Sequence, residues 1–281
     1  MSNTIEKENE PCCGPTCCET DAETKPLSMN EADVKNSVRE RYSKIAAEGG
    51  PCSGPNCGCG SESSDEQLIS VLMSDEYKNV DAQIIATADL GLGCGTPTAF
   101  TDLQPGMRVL DLGSGAGIDV FIAAKAVAPN GKAIGLDMTD EMLKRARANK
   151  VKLGIMNAEF WKGEIEDMPV ESGSIDRIIS NCVINLVPDK RKAFSEMYRV
   201  LKPGGKFTVS DIVSIGEIPD DVRRNMELWA GCIAGALDKE GYLSIVREAG
   251  FKDLTISAEK PYNLEGNTTF GLASITLTAT K

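Results

Sequence analysis

The chain has 281 residues, ten cysteines, no histidine and a net charge of -12. A chain of this length buries roughly three quarters of its unfolded surface, enough for one domain of about 200 residues with smaller additions. The acidic balance, with no run of Lys or Arg, argues against nucleic acid or an anionic membrane as partner, and the lack of imidazole removes Ser-His and Cys-His nucleophile pairs, Cys-His zinc fingers and a histidine general base.

No window approaches 18 apolar residues, and the chain opens on Ser2, Asn3, Glu6 and Lys7 instead of a basic then apolar leader. The expectation is a cytoplasmic protein whose thiols stay reduced. Residues 1–30 form a polar tail, expected to be mobile, that carries the doublets Cys12-Cys13 and Cys17-Cys18. Glu31 and Asp33, followed by Val34, Val38, Tyr42 and Ile45 at helical spacing, predict an amphipathic helix over 30–48, stopped by Gly49, Gly50 and Pro51. A second cysteine-rich loop holds Cys52, Cys57 and Cys59, and Cys94 sits between Gly93 and Gly95, about fifteen residues ahead of the first predicted strand.

That strand, 108–112, carries Asp111 and runs into Gly113, Ser114, Gly115 and Gly117. A second apolar run over 133–137 ends in Asp137, 26 residues after Asp111, followed by Met138. With a helix over 120–127 between them, the two strands make a βαβ unit in which Asp137 stands where a carboxylate holds ribose hydroxyls. A dinucleotide site reads G-x-G-x-x-G and takes pyrophosphate on the helix N-terminus. Here Asp111 lies beside the loop, where it repels pyrophosphate and suits a cationic amino group.

Further strands are predicted over 158–162, 175–181, 206–213, 254–259 and 274–280, with a helix over 239–249 ending at Gly250. The alternation predicts an α/β, doubly wound, Rossmann-like sheet of seven strands. Cys182 follows Asn181 at the carboxyl end of the fourth strand, where open α/β sheets bind ligands. Cys232 falls in an insertion over 219–237. Taken singly, each of Cys94, Cys182 and Cys232 suits a small buried apolar position; as a set around the nucleoside pocket they look functional. Asn185 and Asp189 either orient the Cys182 loop or form a turn through Pro188.

The glycine loop, the second acid and the later Gly163-Glu164-Ile165 and Leu201-Lys-Pro-Gly-Gly segments resemble class I S-adenosylmethionine methyltransferases. The resemblance implies an antiparallel final strand pair. It also implies a cofactor site in which Asp111 and the loop backbone (Gly113, Ser114, Gly115, Gly117) meet the methionine end, Asp137 the ribose, and Glu164 with the Ile165 amide the adenine, with Met138 and Asn181 in the same site.

A closer likeness follows from Ser-Asn-Cys-Val-Ile-Asn-Leu-Val-Pro-Asp-Lys over 180–190, Gly93-Cys94-Gly95 and the small-residue stretch around Cys232. Over about residues 38–251 the chain is similar to the arsenite S-adenosylmethionine methyltransferases, in a microbial short form. That likeness implies that Cys94, Cys182 and Cys232 bind arsenic(III) as thiolates. It further implies a catalytic disulfide between Cys94 and an N-terminal cysteine, Cys52 or Cys57, and a thiol reductant of thioredoxin or glutathione type; the chain is expected to be a monomer. The chain then divides into a tail (1–30), helices plus the methyltransferase core (31–215), and an arsenic-binding insertion with the end of the sheet (216–281).

Arsenic(III) held by three thiolates keeps a lone pair and needs no general base to attack a methyl group, which agrees with a histidine-free chain. Two other readings stay open: a methyltransferase of a small organic substrate in which the cysteines merely pack, and an arsenite-binding sensor without turnover. The tail doublets either gather soft ions, form an inert appendage, or reflect zinc-like spacing that lacks a second pair.

Overall fold

Strand β1 (Arg108–Leu112) is the middle of the five parallel strands, largely apolar on both faces because helices cover both sides of it. In the computed structural model, which describes residues 30–48, 69, 72, 77, 80–262 and 270–281, it pairs in parallel with β2 (Lys132–Asp137) and β4 (Ile175–Asn181). With β3 (Ala158–Lys162), β5 (Leu201–Ile215), β6 (Lys252–Tyr262) and β7 (Gly271–Thr280), the seven strands run in the order β3-β2-β1-β4-β5-β7-β6. The first five are parallel, and β7 lies antiparallel between β5 and β6. This is the seven-stranded class I architecture expected from the sequence, with the antiparallel pair at one edge. The tail doublets, Cys52, Cys57 and Cys59 lie outside the described residues.

Eight helices are described: α1 (Glu31–Glu48), α2 (Ala82–Ala88), α3 (Ile118–Ala126), α4 (Asp140–Leu153), α5 (Lys190–Val200), α6 (Asp220–Arg223), α7 (Met226–Ala230) and α8 (Lys239–Glu248). Five of them, α2, α4, α5, α6 and α7, went unassigned in the sequence, and in α4 and α5 the signals are local. In α4, Asp140 and Glu141 occupy the first turn and a left-handed Gly154 ends the helix. In α5, the Asp189 carboxylate accepts the Lys192 N–H, so Asp189 is an N-cap and not only a turn former. The insertion holds two short helices, α6 and α7.

The late strands are longer than predicted. β5 starts at Leu201 because Leu201 pairs with Ile175 across an irregularity in the ladder. The Gly204 N–H reaches the Lys281 carbonyl at 3.2 Å, and the Lys281 N–H reaches the Gly205 carbonyl at 2.9 Å. β7 then zips along β5 without interruption from Lys206/Thr280 to Ile215/Gly271.

Phe207 and Phe251 meet edge to face at 4.7 Å, and Phe194 adds contacts to Phe207 and Tyr242, filling the layer between the sheet and helices α5 and α8. On the other face Phe121 of α3 packs on Phe160 of β3. Helix α1 crosses the carboxyl ends of the strands. Val34 and Val38 are buried, Lys35 pairs with Glu164 at 2.7 Å and with Glu166 at 3.1 Å, and Arg145 donates to the Ala46 carbonyl at 3.0 Å. Among the described residues no helix is long and apolar enough to cross a membrane.

Candidate functional site

The loop from β1 into α3 uses Gly113, Gly115 and Gly117 at φ of 65, 50 and 95°, the left-handed region where side chains are strained. Asp137 ties this loop to the end of β2: its carboxylate accepts the Gly115 N–H at 2.9 Å and the Thr139 N–H at 2.8 Å. The pocket above is walled by Asp111, Gly113, Ser114, Gly115, Asp137 and Met138, by Glu164 and Ile165 beyond β3, and by Asn181 at the end of β4. Lys35, Val38 and Tyr42 of α1 close its upper side. Gly117, expected in the same set, stands off the wall and lets the start of α3 pack closely, since a Cβ there would lie 2.8 Å from the Phe160 ring and 2.9 Å from that of Phe121.

The pocket is starved of positive charge at one end. Burial, then the neighbouring Asp119 and Asp137, hold the Asp111 carboxyl well above the usual range. None of the three acids has an ion-pair partner among the described residues. The Ser114 hydroxyl is buried without a hydrogen-bond partner. Uncompensated carboxylates and an orphaned hydroxyl suit a polar, cationic ligand.

Asp119, at the start of α3, was not foreseen. It accepts the Tyr77 hydroxyl at 2.7 Å and that of Thr98 at 3.3 Å, and burial pushes its carboxyl up to about 6 against those hydrogen bonds. A folded-state value above the unfolded one means that the native protein binds the extra proton, so Asp119 lowers stability as pH rises from about 4 through 6. Between pH 5 and 7.5, Asp119→Asn should therefore lose less unfolding free energy than the parent, by about 1 kcal/mol in urea titrations. Equal losses in the two proteins would contradict this assignment.

Beside the pocket the three solitary cysteines converge from three segments. Cys94 comes from the loop ahead of β1, Cys182 from the end of β4 and Cys232 from the turn after α7. They are 0, 2 and 0% exposed and all are free thiols. The Cys94 and Cys182 sulfurs and an Asp211 carboxylate oxygen lie within 4.8 Å of one another. The Cys232 thiol donates to the Cys182 carbonyl at 2.9 Å. Cys182 also lines the pocket, so the cluster and the pocket share a wall. Burial first raises the Cys94 thiol, whereas the Cys182 thiol is held well up chiefly by hydrogen bonding with Cys232 and Cys94.

Cys182 and Cys232 have φ of 59° and 65°, a conformation that costs a non-glycine residue about 1–3 kcal/mol. Asn185, on the Cys182 loop, bridges to the Cys232 turn. Its Nδ2 donates to the Ile212 carbonyl at 2.5 Å and to the Cys232 carbonyl at 3.4 Å, while its backbone N–H donates to Asp211 at 3.1 Å. Of the two roles considered for Asn185, the orienting one is seen: it clamps the Cys182 loop to the Cys232 loop.

Asp211 and Lys190 went unnoticed in the sequence, although an acid inside the apolar strand 206–213 was a signal. Asp211 accepts the Ile212 and Asn185 N–H groups and the Tyr242 hydroxyl. These bonds hold the carboxylate against the Cys94 and Cys182 sulfurs. Burial raises it to about 7 and lowers the buried Lys190 to about 8, each partly offset by the other's charge.

A methyltransferase domain family matches residues 103–250. Arsenite methyltransferase from Halobacterium salinarum is 43% identical over 254 residues, 86% of this chain and 64% of that protein. The Aquipseudomonas alcaligenes arsenite methyltransferase is 34% identical over 238 residues, 82% of this chain and 66% of that protein. The chain thus spans just under two thirds of the length of these curated relatives. The crystal structure of CrArsM, an arsenic(III) S-adenosylmethionine methyltransferase from Chlamydomonas reinhardtii, superposes with a TM-score of 0.63 at 32% identity, covering 79% of this chain and 75% of that one. With a methyltransferase domain over more than half its length and a solved arsenic methyltransferase matched over three quarters or more of both chains, this chain belongs to the arsenite methyltransferase family.

Proposed function

We propose that this chain transfers a methyl group from S-adenosylmethionine to arsenic(III) held by Cys94, Cys182 and Cys232. The observation that carries this reading is the convergence of three buried thiols against a carboxylate-rich, glycine-cradled pocket, with Cys182 facing both. The names of the matched relatives support it.

The donor fits the pocket. Asp111 with the glycine loop suits its methionine end, Asp137 the ribose, and Glu164 with the Ile165 amide the adenine. Glu164 already pairs with Lys35 and lies 3.6 Å from Arg39, so α1 closes over the adenine end and shares that carboxylate. When bound, the donor supplies an electrophilic methyl group on a sulfonium.

Raised thiol acidities are no obstacle to loading arsenic. Arsenous acid condenses with three thiols and releases three waters, so every thiol proton leaves on an arsenic hydroxide and no base is consumed. Thiolate-bound arsenic keeps a lone pair, which forms the As–C bond while the S–C electron pair returns to the donor sulfur. Arsenic is thereby formally oxidised by two electrons, and a thiol reductant of thioredoxin or glutathione type returns it to the trivalent state. We assign Cys52 or Cys57 as the partner that forms a disulfide with Cys94 during this reduction, in a cytoplasmic monomer.

The test is S-adenosylhomocysteine formation with arsenite and a thiol reductant, with arsenic speciation of the products. Arsenite-dependent turnover giving methylated arsenicals is expected; tight arsenite binding without turnover would leave a sensor instead.

A further inference from the structure

A continuous line of hydrogen bonds joins the acidic end of the donor pocket to the loop that carries Cys94. Asp119 Oδ2 accepts the Tyr77 hydroxyl at 2.7 Å. The Tyr77 oxygen accepts Asn181 Nδ2 at 3.0 Å, and the same Nδ2 donates to the Gly95 carbonyl at 2.7 Å. Asn181 Oδ1 accepts the Cys94 N–H at 3.1 Å. The amide orientation is dictated by its main-chain partners, because only one setting serves both a backbone donor and a backbone acceptor.

The loop has little freedom apart from this grip. A Cβ on Gly93 would lie 2.7 Å from Asn181 Nδ2, and one on Gly95 would lie 2.6 Å from the Ser210 side chain. Asn181 thus reads the loop 93–95 on both sides. Neither Asp119 nor Tyr77 is needed for the methyl-transfer chemistry itself, yet both line the pocket beside Asp111.

We propose that occupancy of the donor pocket is transmitted to Cys94 through Asp119, Tyr77 and Asn181, so that donor binding fixes the thiol that receives arsenic. The inference rests on the functional reading above in assigning the ligands. An ammonium group arriving beside Asp111 and Asp119 favours their ionised forms. A fully ionised Asp119 is the stronger acceptor for the Tyr77 hydroxyl, and the polarised hydroxyl in turn holds Asn181 more firmly. Tyr77 and Asn181 are positioning residues. Linkage requires the coupling to be reciprocal: arsenic on Cys94 tightens the donor by the same factor.

The test uses S-adenosylhomocysteine, which keeps the ammonium group, and the rate at which iodoacetamide alkylates Cys94, mapped by mass spectrometry on the full chain. Saturating S-adenosylhomocysteine should slow Cys94 alkylation at least about fivefold in the parent, at the low end of allosteric couplings. In Tyr77→Phe the protection should fall below about twofold, with calorimetry establishing that the nucleoside still binds.

Thr98→Ala removes a contact to Asp119 that lies off the line, and it should keep the full protection. Asn181→Asp retains the acceptor for the Cys94 N–H but loses the donor to Tyr77. It should behave like Tyr77→Phe, and it supplies the answer if that variant does not fold. Parent-like protection in Tyr77→Phe or Asn181→Asp, or none in the saturated parent, overturns the relay. Absence of arsenite-dependent turnover would overturn only the functional reading, because alkylation requires no arsenic.

Discussion

Cys182→Ser and Cys232→Ser should each lower arsenite-dependent turnover at least about 100-fold while leaving the protein folded. Serine is close in volume to cysteine, so no cavity opens at positions buried to 2 and 0%, and at 232 the hydroxyl can take over the donation to the Cys182 carbonyl. What changes is the ligand: a hydroxyl is a hard donor that does not replace thiolate on a soft centre, and an arsenic held by only two protein thiolates is no longer fixed in place for attack. Cys232 stands off the pocket wall, so Cys232→Ser should bind S-adenosylhomocysteine within about threefold of the parent while losing arsenite. Full turnover in either variant would show that the thiols only pack, the reading in which the substrate is a small organic molecule.

Gly235→Ala is the second change with a large expected effect, although residue 235 touches neither ligand. A Cβ there would sit 2.1 Å from the Asn185 carbonyl oxygen, which also accepts from Lys190 Nζ at 3.2 Å. Backbone cannot rotate away as a side-chain tip can, so the turn carrying Cys232 must lift from the Cys182 loop. Overpacking of this kind costs about 1–3 kcal/mol, which in a chain of this size lowers Tm by about 3–10 °C. Because a shift near 1 Å costs on the order of 100-fold in rate, turnover should fall about that far, with donor affinity retained. Gly204→Ala is the comparison: no atom lies within 4 Å of its Cβ, but at φ 75° it carries left-handed strain of its own, so it should lower Tm while turnover is retained. Parent-like turnover and Tm in Gly235→Ala would mean that the Asn185 clamp does not set the thiol geometry.

Several of these features could be read in the chain itself. The glycine spacing of 113–117 and the acids Asp111 and Asp137 were legible because a left-handed turn and a two-sided apolar strand are properties of contiguous residues. β3 and β4 appear within the bounds predicted for them. β5, β6 and β7 outran theirs, since how far a strand extends depends on how much partner backbone lies alongside it. Asp189 was legible as a turn or loop-orienting residue but not as a cap, because whether its carboxylate caps a helix depends on the direction in which the chain leaves the turn.

The sequence by itself determined the range of chemistry: thiols without imidazole, a nucleoside loop flanked by acid in place of a pyrophosphate cradle, and an alternation of strands and helices that admits one fold class. It also marked Cys94, Cys182 and Cys232. Only the tertiary structure decided that these three share one buried cluster. It also decided that Asn185 bridges two strained loops, that Asp211 lies against the Cys94 and Cys182 thiols, and that Tyr77 and Asn181 join Asp119 to Cys94. Each of these is a hydrogen bond or contact between segments far apart along the chain, with a direction set by where the sheet places them. Local propensity is blind to such pairings because it is a property of neighbouring residues, whereas the site is built from residues that become neighbours only when the chain folds.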